Sequence, residues 1–209
     1  MKKGLFISIE GPDGSGKSTQ IENIKQFFKD KNIDIVFTRE PGGTPIGERI
    51  REIILDKKYQ EMDPMTEAML YAAARAQHVA QIIRPALEQG KTVVCDRFVD
   101  SSIAYQGYGR KLGESVAVIN GFAIKDCMPD VTFLMKLDPR VGRRRIDENK
   151  QDRLEMEKDA FHIDVFEGYL ELEKRYSERV VGIDANRSID EIKFDIYRKL
   201  EEMLRSVSE

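Results

Sequence analysis

Hydrophobic positions along this chain change period several times. Leu5 to Glu10 is a short run, Leu-Phe-Ile-Ser-Ile, leading into a glycine-rich turn, and Lys17 to Lys29 then carries Ile21, Ile24, Phe27 and Phe28 at helical spacing. That reads as strand, loop and helix. Ile33 to Thr38 predicts a second strand, Ile46 to Leu55 a helix, Thr66 to about Glu88 a long helix, and Thr92 to Asp96 a buried strand. Gly113 to Lys125 then reads as helix, Val131 to Leu137 as strand, Phe161 to Arg175 as helix, Val180 to Asp184 as strand and Ile189 to Leu204 as helix. Five short strands alternating with helices predict an α/β fold: a five-stranded parallel sheet with helices on both faces and ligands outside the carboxyl ends of the strands. Gly11, Glu40 and Asp96 fall at those ends.

Two stretches break the alternation. Pro41-Gly42-Gly43 follows the second strand, and Arg143 to Asp159 is rich in charges of both signs, so neither is expected to pack as core. The second has the composition of a mobile lid, and equally that of an ordinary solvated helix and loop. With no internal repeat or low-complexity tract, residues 1–209 are expected to form a single domain.

Composition narrows the partners. Charged residues make up 34% of the 209 but nearly cancel to a net −3, which argues against nucleic-acid or anionic-membrane binding and for a small ligand. No apolar run approaches the roughly 18 residues of a membrane span, and Met1-Lys2-Lys3 leads into a strand, so a cytosolic location is expected. Cys95 and Cys127 belong to no Cys-x-x-Cys or Cys/His cluster and read as packing residues.

The chemistry starts at Gly11-Pro12-Asp13-Gly14-Ser15-Gly16-Lys17-Ser18, which matches G-x-x-x-x-G-K-[ST] between a predicted strand and a predicted helix. Glycines let backbone N–H groups converge on phosphates and the helix N-terminus adds positive potential. Lys17 reaches β and γ oxygens, and Ser18 offers a hydroxyl to Mg²⁺. Asp96, closing an apolar strand, fits a water-mediated Mg²⁺ contact, and Arg97 beside it is placed to grip a second phosphate. A phosphate loop alone leaves a kinase, a GTPase-like switch and a motor subunit open. No Asn-Lys-x-Asp guanine reader occurs, and Arg51, Arg75, Arg97, Arg143, Arg144, Arg145 and Arg153 suit a second anionic substrate. Phosphoryl transfer between two anions is the reading that uses them.

Three motifs resemble those of bacterial thymidylate kinases, and the similarity runs from the first strand to the last helix. They are Glu10 through Thr19, Thr38-Arg39-Glu40-Pro41-Gly42-Gly43-Thr44, and Asp96-Arg97-Phe98 through Asp100-Ser101-Ser102 to Ala104-Tyr105-Gln106-Gly107. The resemblance implies a nucleoside monophosphate kinase fold of the P-loop class, a homodimer, and the reaction dTMP + ATP giving dTDP + ADP with Mg²⁺. Another acceptor, dUMP or a purine nucleotide, is the alternative within the enzyme class, and a nucleotide-gated binding module the alternative outside it.

The resemblance also assigns residues. Tyr71, where relatives commonly carry Phe, stacks on thymine, Arg75 donates to a base carbonyl, and Gln106 reads the pyrimidine edge. Asp13 engages the sugar 3′-OH while Arg51 and Arg97 clamp the acceptor phosphate. Ser101 and Ser102 lie close by, Tyr105 crowds the 2′ position, and Glu40 stands at the site mouth. Gly11 to Thr19 hold the ATP phosphates. Gly14 stands where the eukaryotic branch has an arginine, so the missing charge is expected from lid arginines Arg143, Arg145 and especially Arg153 in the segment 143–159. Lys17, Asp13, Arg97 and Arg153 form the expected catalytic set. His78 and His162 lie in no nucleophile or metal constellation and read as structural or surface residues.

Overall fold

The computed structural model describes residues 4–145 and 151–208. Strands β1 (Phe6–Glu10), β2 (Ile35–Arg39), β3 (Thr92–Asp96), β4 (Val131–Lys136) and β5 (Val180–Asp184) form one parallel sheet in the order β2-β3-β1-β4-β5. β1 is central, and the chain crosses from one side of it to the other between β3 and β4. The crevice at a parallel sheet's switch point is where ligands bind.

The three inner strands β1, β3 and β4 read as apolar runs because both their faces are covered. Ile7, Ile9, Val94, Phe133 and Met135 point to one face, where α1 (Lys17–Asp30) and α9 (Ile189–Ser208) contribute Ile21, Ile24, Phe28, Ile192, Ile196 and Leu200. Ile24 and Phe28 have no exposed surface, which is worth about 2 kcal/mol each in transfer free energy. Phe6, Val93 and Cys95 point to the other face, against Val79, Ile83, Leu87, Phe98 and Cys127. Both cysteines are therefore packing residues, as expected.

Element ends follow local chemistry. Thr44 caps α2 (Pro45–Leu55) by accepting from Gly47 N at 3.0 Å. Asp63 caps α3 (Pro64–His78), with Pro64 in the first turn, so the helix begins two residues before the periodicity suggests. The predicted long helix is interrupted by a π-helical stretch, Val79–Ile83, before α4 (Arg84–Glu88). Pro85 supplies the reason, since proline has no N–H and its ring crowds the carbonyl four residues back.

One element escapes the periodicity altogether. After β3 the chain enters α5 (Val99–Ser102) and a π-helical stretch, Ile103–Gly109, almost wholly buried although it contains Asp100, Ser101, Ser102 and Gln106. Helices α6 (Ser115–Ile124), α7 (Pro139–Arg143) and α8 (Asp159–Arg175) complete the chain, α7 also unpredicted. Of the expected lid, residues 146–150 lie outside the described residues. The expectation that this segment stays out of the core is wrong: Leu154 joins the cluster formed by Tyr105, Phe161, Val165 and Tyr169, and Arg153 is only 6% exposed.

Candidate active site

The phosphate loop leaves β1 at Gly11 and enters α1 at Lys17. Gly14 and Gly16 have φ of 75° and 88°, the left-handed region that glycine adopts without penalty. The first turn of α1 contains no acidic residue, so nothing quenches its N-terminal potential. Lys17 curls back over the loop, its Nζ donating to the carbonyls of Gly11 at 3.0 Å and Pro12 at 2.8 Å. Burial, and then Arg97, lower its pKa to about 8. Ser15, Gly14 and Pro12 complete the loop, while Ser18 and Thr19 are exposed.

Beside the loop, at the carboxyl ends of β1, β2 and β3, lies a cavity of about 190 Å³. Its walls gather Asp13, Glu40, Arg51, Tyr71, Arg75, Arg97, Ser101, Ser102, Tyr105 and Gln106, which are all of the acceptor-site residues expected from sequence, together with Asp96. Arg39, Leu55, Asp152, Leu154 and Glu155 also line it, and none of these five had been expected to.

Asp13 joins loop and cavity. Its Oδ1 pairs with Arg97 Nη2 and lies 3.8 Å from Lys17 Nζ, and its Oδ2 accepts from Tyr105 OH at 3.0 Å. Burial alone would raise its carboxyl pKa, but Arg97 and Lys17 hold it well below the usual carboxylate range. Such a group stays ionised and takes up no proton at neutral pH. Arg97 adopts φ of 64°, and its Nη1 donates to Gly11 O at 2.9 Å, Ser101 Oγ at 3.1 Å and Tyr169 OH at 3.1 Å. Arg51 donates to Pro41 O at 2.9 Å, beside Arg39.

Behind the walls the polar groups interlock. Arg75, 1% exposed, donates Nε to Glu40 at 2.7 Å, Nη1 to Ser102 at 2.9 Å and to Asn120, and Nη2 to Phe98 O at 3.0 Å. Glu40 also bonds His78 Nδ1 at 2.8 Å, and Thr38 bonds His78 Nε2 at 2.6 Å. His78 is thus structural and fully buried, and Glu40 acts on the cavity by fixing Arg75. Glu10 has no exposed surface and accepts from Phe98 N at 2.7 Å and Ser101 Oγ at 2.5 Å. Burial and the Asp100 charge push its pKa up to about 7. Its only sequence signal was its place just before the glycine loop.

Metal chemistry has a modest protein contribution here. Among the described residues no group of three or more His, Cys, Asp or Glu is arranged to hold an ion. Asp96 Oδ1, however, is buried without a hydrogen-bond partner at the end of β3. A leftover carboxylate acceptor and an exposed Ser18 hydroxyl suit a cation carried mainly by nucleotide phosphates and water.

The lid arginines divide. Arg143 lines a small cleft with Pro12, Asp13 and His162, and Arg145 Nη1 donates to Gly14 O at 3.1 Å, so both stand by the phosphate loop. Arg153 does not. It donates Nε to Ile54 O at 2.8 Å and Nη2 to Glu67 at 2.5 Å, locked by a carboxylate on the acceptor side. The structure thus sets Arg153 apart from the phosphate loop it was expected to serve, and here Glu67 takes its charge. The backbones of loop and α7 meet directly, because a Cβ on Gly14 would lie 2.2 Å from Gly142 O and one on Gly142 would lie 2.2 Å from Asp13 O. Contact this close leaves no room for a side chain at position 14.

Comparison with known proteins shows what the chain is similar to. The sequence model of the thymidylate kinase family matches residues 9–196. Thymidylate kinase from Geobacillus sp. (strain WCH70) is 51% identical over 194 residues, covering 91% of this chain and 92% of that protein. The thymidylate kinase of Halalkalibacterium halodurans is 49% identical over 208 residues, 98% and 99% of the two chains. The crystal structure of thymidylate kinase from Ehrlichia chaffeensis superposes with a TM-score of 0.77 at 32% identity, covering 95% of this chain and 99% of that one.

Proposed function

This chain belongs to the thymidylate kinase family and phosphorylates dTMP to dTDP with ATP, and we propose that Mg²⁺ accompanies the nucleotide and that the two substrates meet across Asp13. The observation carrying this reading is that Asp13 belongs at once to the phosphate loop and to the wall of the adjoining cavity. ATP lies along the loop and the α1 N-terminus, with Lys17, Arg143 and Arg145 on its phosphates. The acceptor fills the cavity: base against Tyr71, Arg75 and Gln106, sugar near Tyr105, phosphate toward Arg51 and Arg97, with Arg39 adjacent. Ser18 and Asp96 would hold Mg²⁺, which would neutralise negative charge on the nucleotide phosphates.

Chemistry then depends on positioning. A dTMP phosphate oxygen, already ionised near neutral pH, attacks the γ-phosphorus in line, so no general base is needed. Asp13, held ionised by Arg97 and Lys17, orients Arg97 instead of accepting a proton. Within the single domain, Arg143 and Arg145 at the start of the expected lid stand by the phosphate loop, and Asp152, Leu154 and Glu155 further along line the cavity.

Two further readings accompany this one. Met69 on α3 and Val118 and Phe122 on α6 are 55%, 61% and 77% exposed, and α3 and α6 pack side by side, so a homodimer buries this apolar face. A cytosolic location fits the charge balance and the lack, among the described residues, of any helix long and apolar enough to cross a membrane. Coupled ADP release with dTMP, dUMP, dCMP, dGMP and AMP at equal concentration tests the acceptor assignment. A clear dTMP preference that Gln106→Leu and Arg75→Ala both erode supports it, and selectivity unchanged in both variants removes the base from this wall.

A further inference from the structure

Glu67 has no part in the reading above, yet it stands one turn before Tyr71 on α3 with no exposed surface. Its Oε1 accepts from Gln106 Nε2 at 3.0 Å and Arg110 Nε at 3.2 Å, and its Oε2 from Arg110 Nη2 at 3.1 Å and Arg153 Nη2 at 2.5 Å. Burial pushes the carboxyl pKa up, but Arg110 above all, with Gln106 and Arg153, brings it below the ordinary glutamate value. Glu67 is therefore ionised at neutral pH and can only accept hydrogen bonds. Gln106 must turn its NH₂ toward it, because the amide oxygen would meet a negative oxygen with no proton between them.

That leaves Gln106 Oε1, which is buried without a partner, on a residue lining the cavity. Arg75 supplies the opposite polarity nearby. Four of its five N–H groups are spent on Glu40, Ser102, Asn120 and Phe98 O, leaving one donor on Nη2. The cavity thus presents a fixed acceptor and a fixed donor. Thymine and uracil match this pair, with a protonated N3 beside a carbonyl at C4. Cytosine reverses both, with a bare N3 acceptor beside an amino donor.

We propose that Glu67 is a specificity-determining positioning residue, locking the Gln106 amide with its oxygen toward the base so that the site admits pyrimidines protonated at N3 and rejects those that are not. This rests on the reading that the base lies against Gln106. The same carboxylate holds Arg153, so the segment whose Asp152, Leu154 and Glu155 line the cavity is tied to the group that sets base polarity. Uracil shares the N3 proton, so Glu67 discriminates against cytosine and takes no part in distinguishing thymine from uracil.

The test is kcat/KM for dTMP, dUMP and dCMP in the wild-type enzyme and in Glu67→Gln, Glu67→Asp and Gln106→Leu. In Glu67→Gln the neighbouring amide offers both polarities and Gln106 is free to flip, so the dTMP to dCMP ratio falls by about tenfold or more while the dTMP to dUMP ratio stays within about twofold. Glu67→Asp, which keeps an obligate acceptor, retains the dTMP to dCMP ratio even where all rates fall together. A parallel loss for all three acceptors in Glu67→Gln marks a merely structural residue and overturns the proposal. Selectivity that survives Gln106→Leu shows that the base-site reading has failed; selectivity lost in Gln106→Leu but kept in Glu67→Gln shows that only the role of Glu67 has. The wild-type protein gives an answer even if Glu67→Gln does not fold: N3-methyl-dTMP should be at least about 100-fold poorer than dTMP, and equal turnover overturns the fixed-acceptor argument.

Discussion

Gly142→Ala isolates the contact between α7 and the phosphate loop. The new Cβ would lie 2.2 Å from the Asp13 backbone oxygen, whereas real Cβ contacts essentially never fall below 3.0 Å, so α7 and the loop must part by about 1 Å. Neither side yields easily. Asp13 is tethered through its side chain to Arg97 and Tyr105, and the obstructing atom is backbone that cannot rotate away. A displacement of that size near reacting groups costs about 100-fold in rate, so kcat is expected to fall between about 10- and 100-fold. Gly142 lacks a positive φ and sits in α7, where alanine is the better helix former by about 0.5–1 kcal/mol, so the backbone itself does not object. Steady-state ADP release with ATP and dTMP varied separately, beside a thermal melt, reads both quantities. The expected pattern is a large loss of kcat, a raised KM for ATP, a KM for dTMP within about threefold, and a melting temperature within a few degrees of wild type. Wild-type kcat in a folded Gly142→Ala protein would refute the claim that this backbone contact sets the loop.

Lys17, with its pKa lowered to about 8, should lose its charge in the free enzyme as pH rises through that value, so kcat/KM for ATP falls above about pH 8. Lys17→Arg should abolish that alkaline limb even where little activity remains, and a limb that persists assigns it elsewhere. Arg153→Ala leaves the buried Glu67 charge short of a partner and should cost about 3 kcal/mol in stability and raise the KM for dTMP more than it lowers kcat; a pure kcat effect would return Arg153 to the ATP side. Asp96→Asn should raise the Mg²⁺ concentration needed for half-maximal rate by about tenfold, and an unchanged requirement removes Asp96 from the metal. Phe122→Glu should convert a dimer to a monomer in sedimentation velocity, and an unaltered dimer places the interface on another face.

What the sequence reveals about this molecule depends on where its polar residues point. Strands buried on both faces announce themselves as apolar runs, and amphipathic α1 and α9 as helical periods, because in each the pattern follows burial. The stretch Val99–Gly109 obeys neither rule. Asp100, Ser101, Ser102 and Gln106 face inward toward the cavity and its supporting network, so the segment has no solvent face for periodicity to detect. The same inversion hides the burial of Arg153: a charged stretch reads as lid or solvated loop, and only the fold brings Glu67, distant in sequence, within reach. The phosphate loop is legible because its chemistry lies in contiguous backbone. Arg39, Glu10 and Glu67 are not, because their parts in the site depend on contacts across elements.

The cavity's cations are already occupied. Lys17 rests on two loop carbonyls, Arg51 on Pro41 O, and Arg97 on Asp13, whose carboxylate takes the place a substrate phosphate would fill. At Arg97 an entering anion competes with an internal counter-ion and gains only the difference between two ionic pairings, whereas Lys17 and Arg51 give up only backbone carbonyls. Asp13 thus holds Arg97 in place before any phosphate arrives, and the empty enzyme is guarded by its own acidic residue.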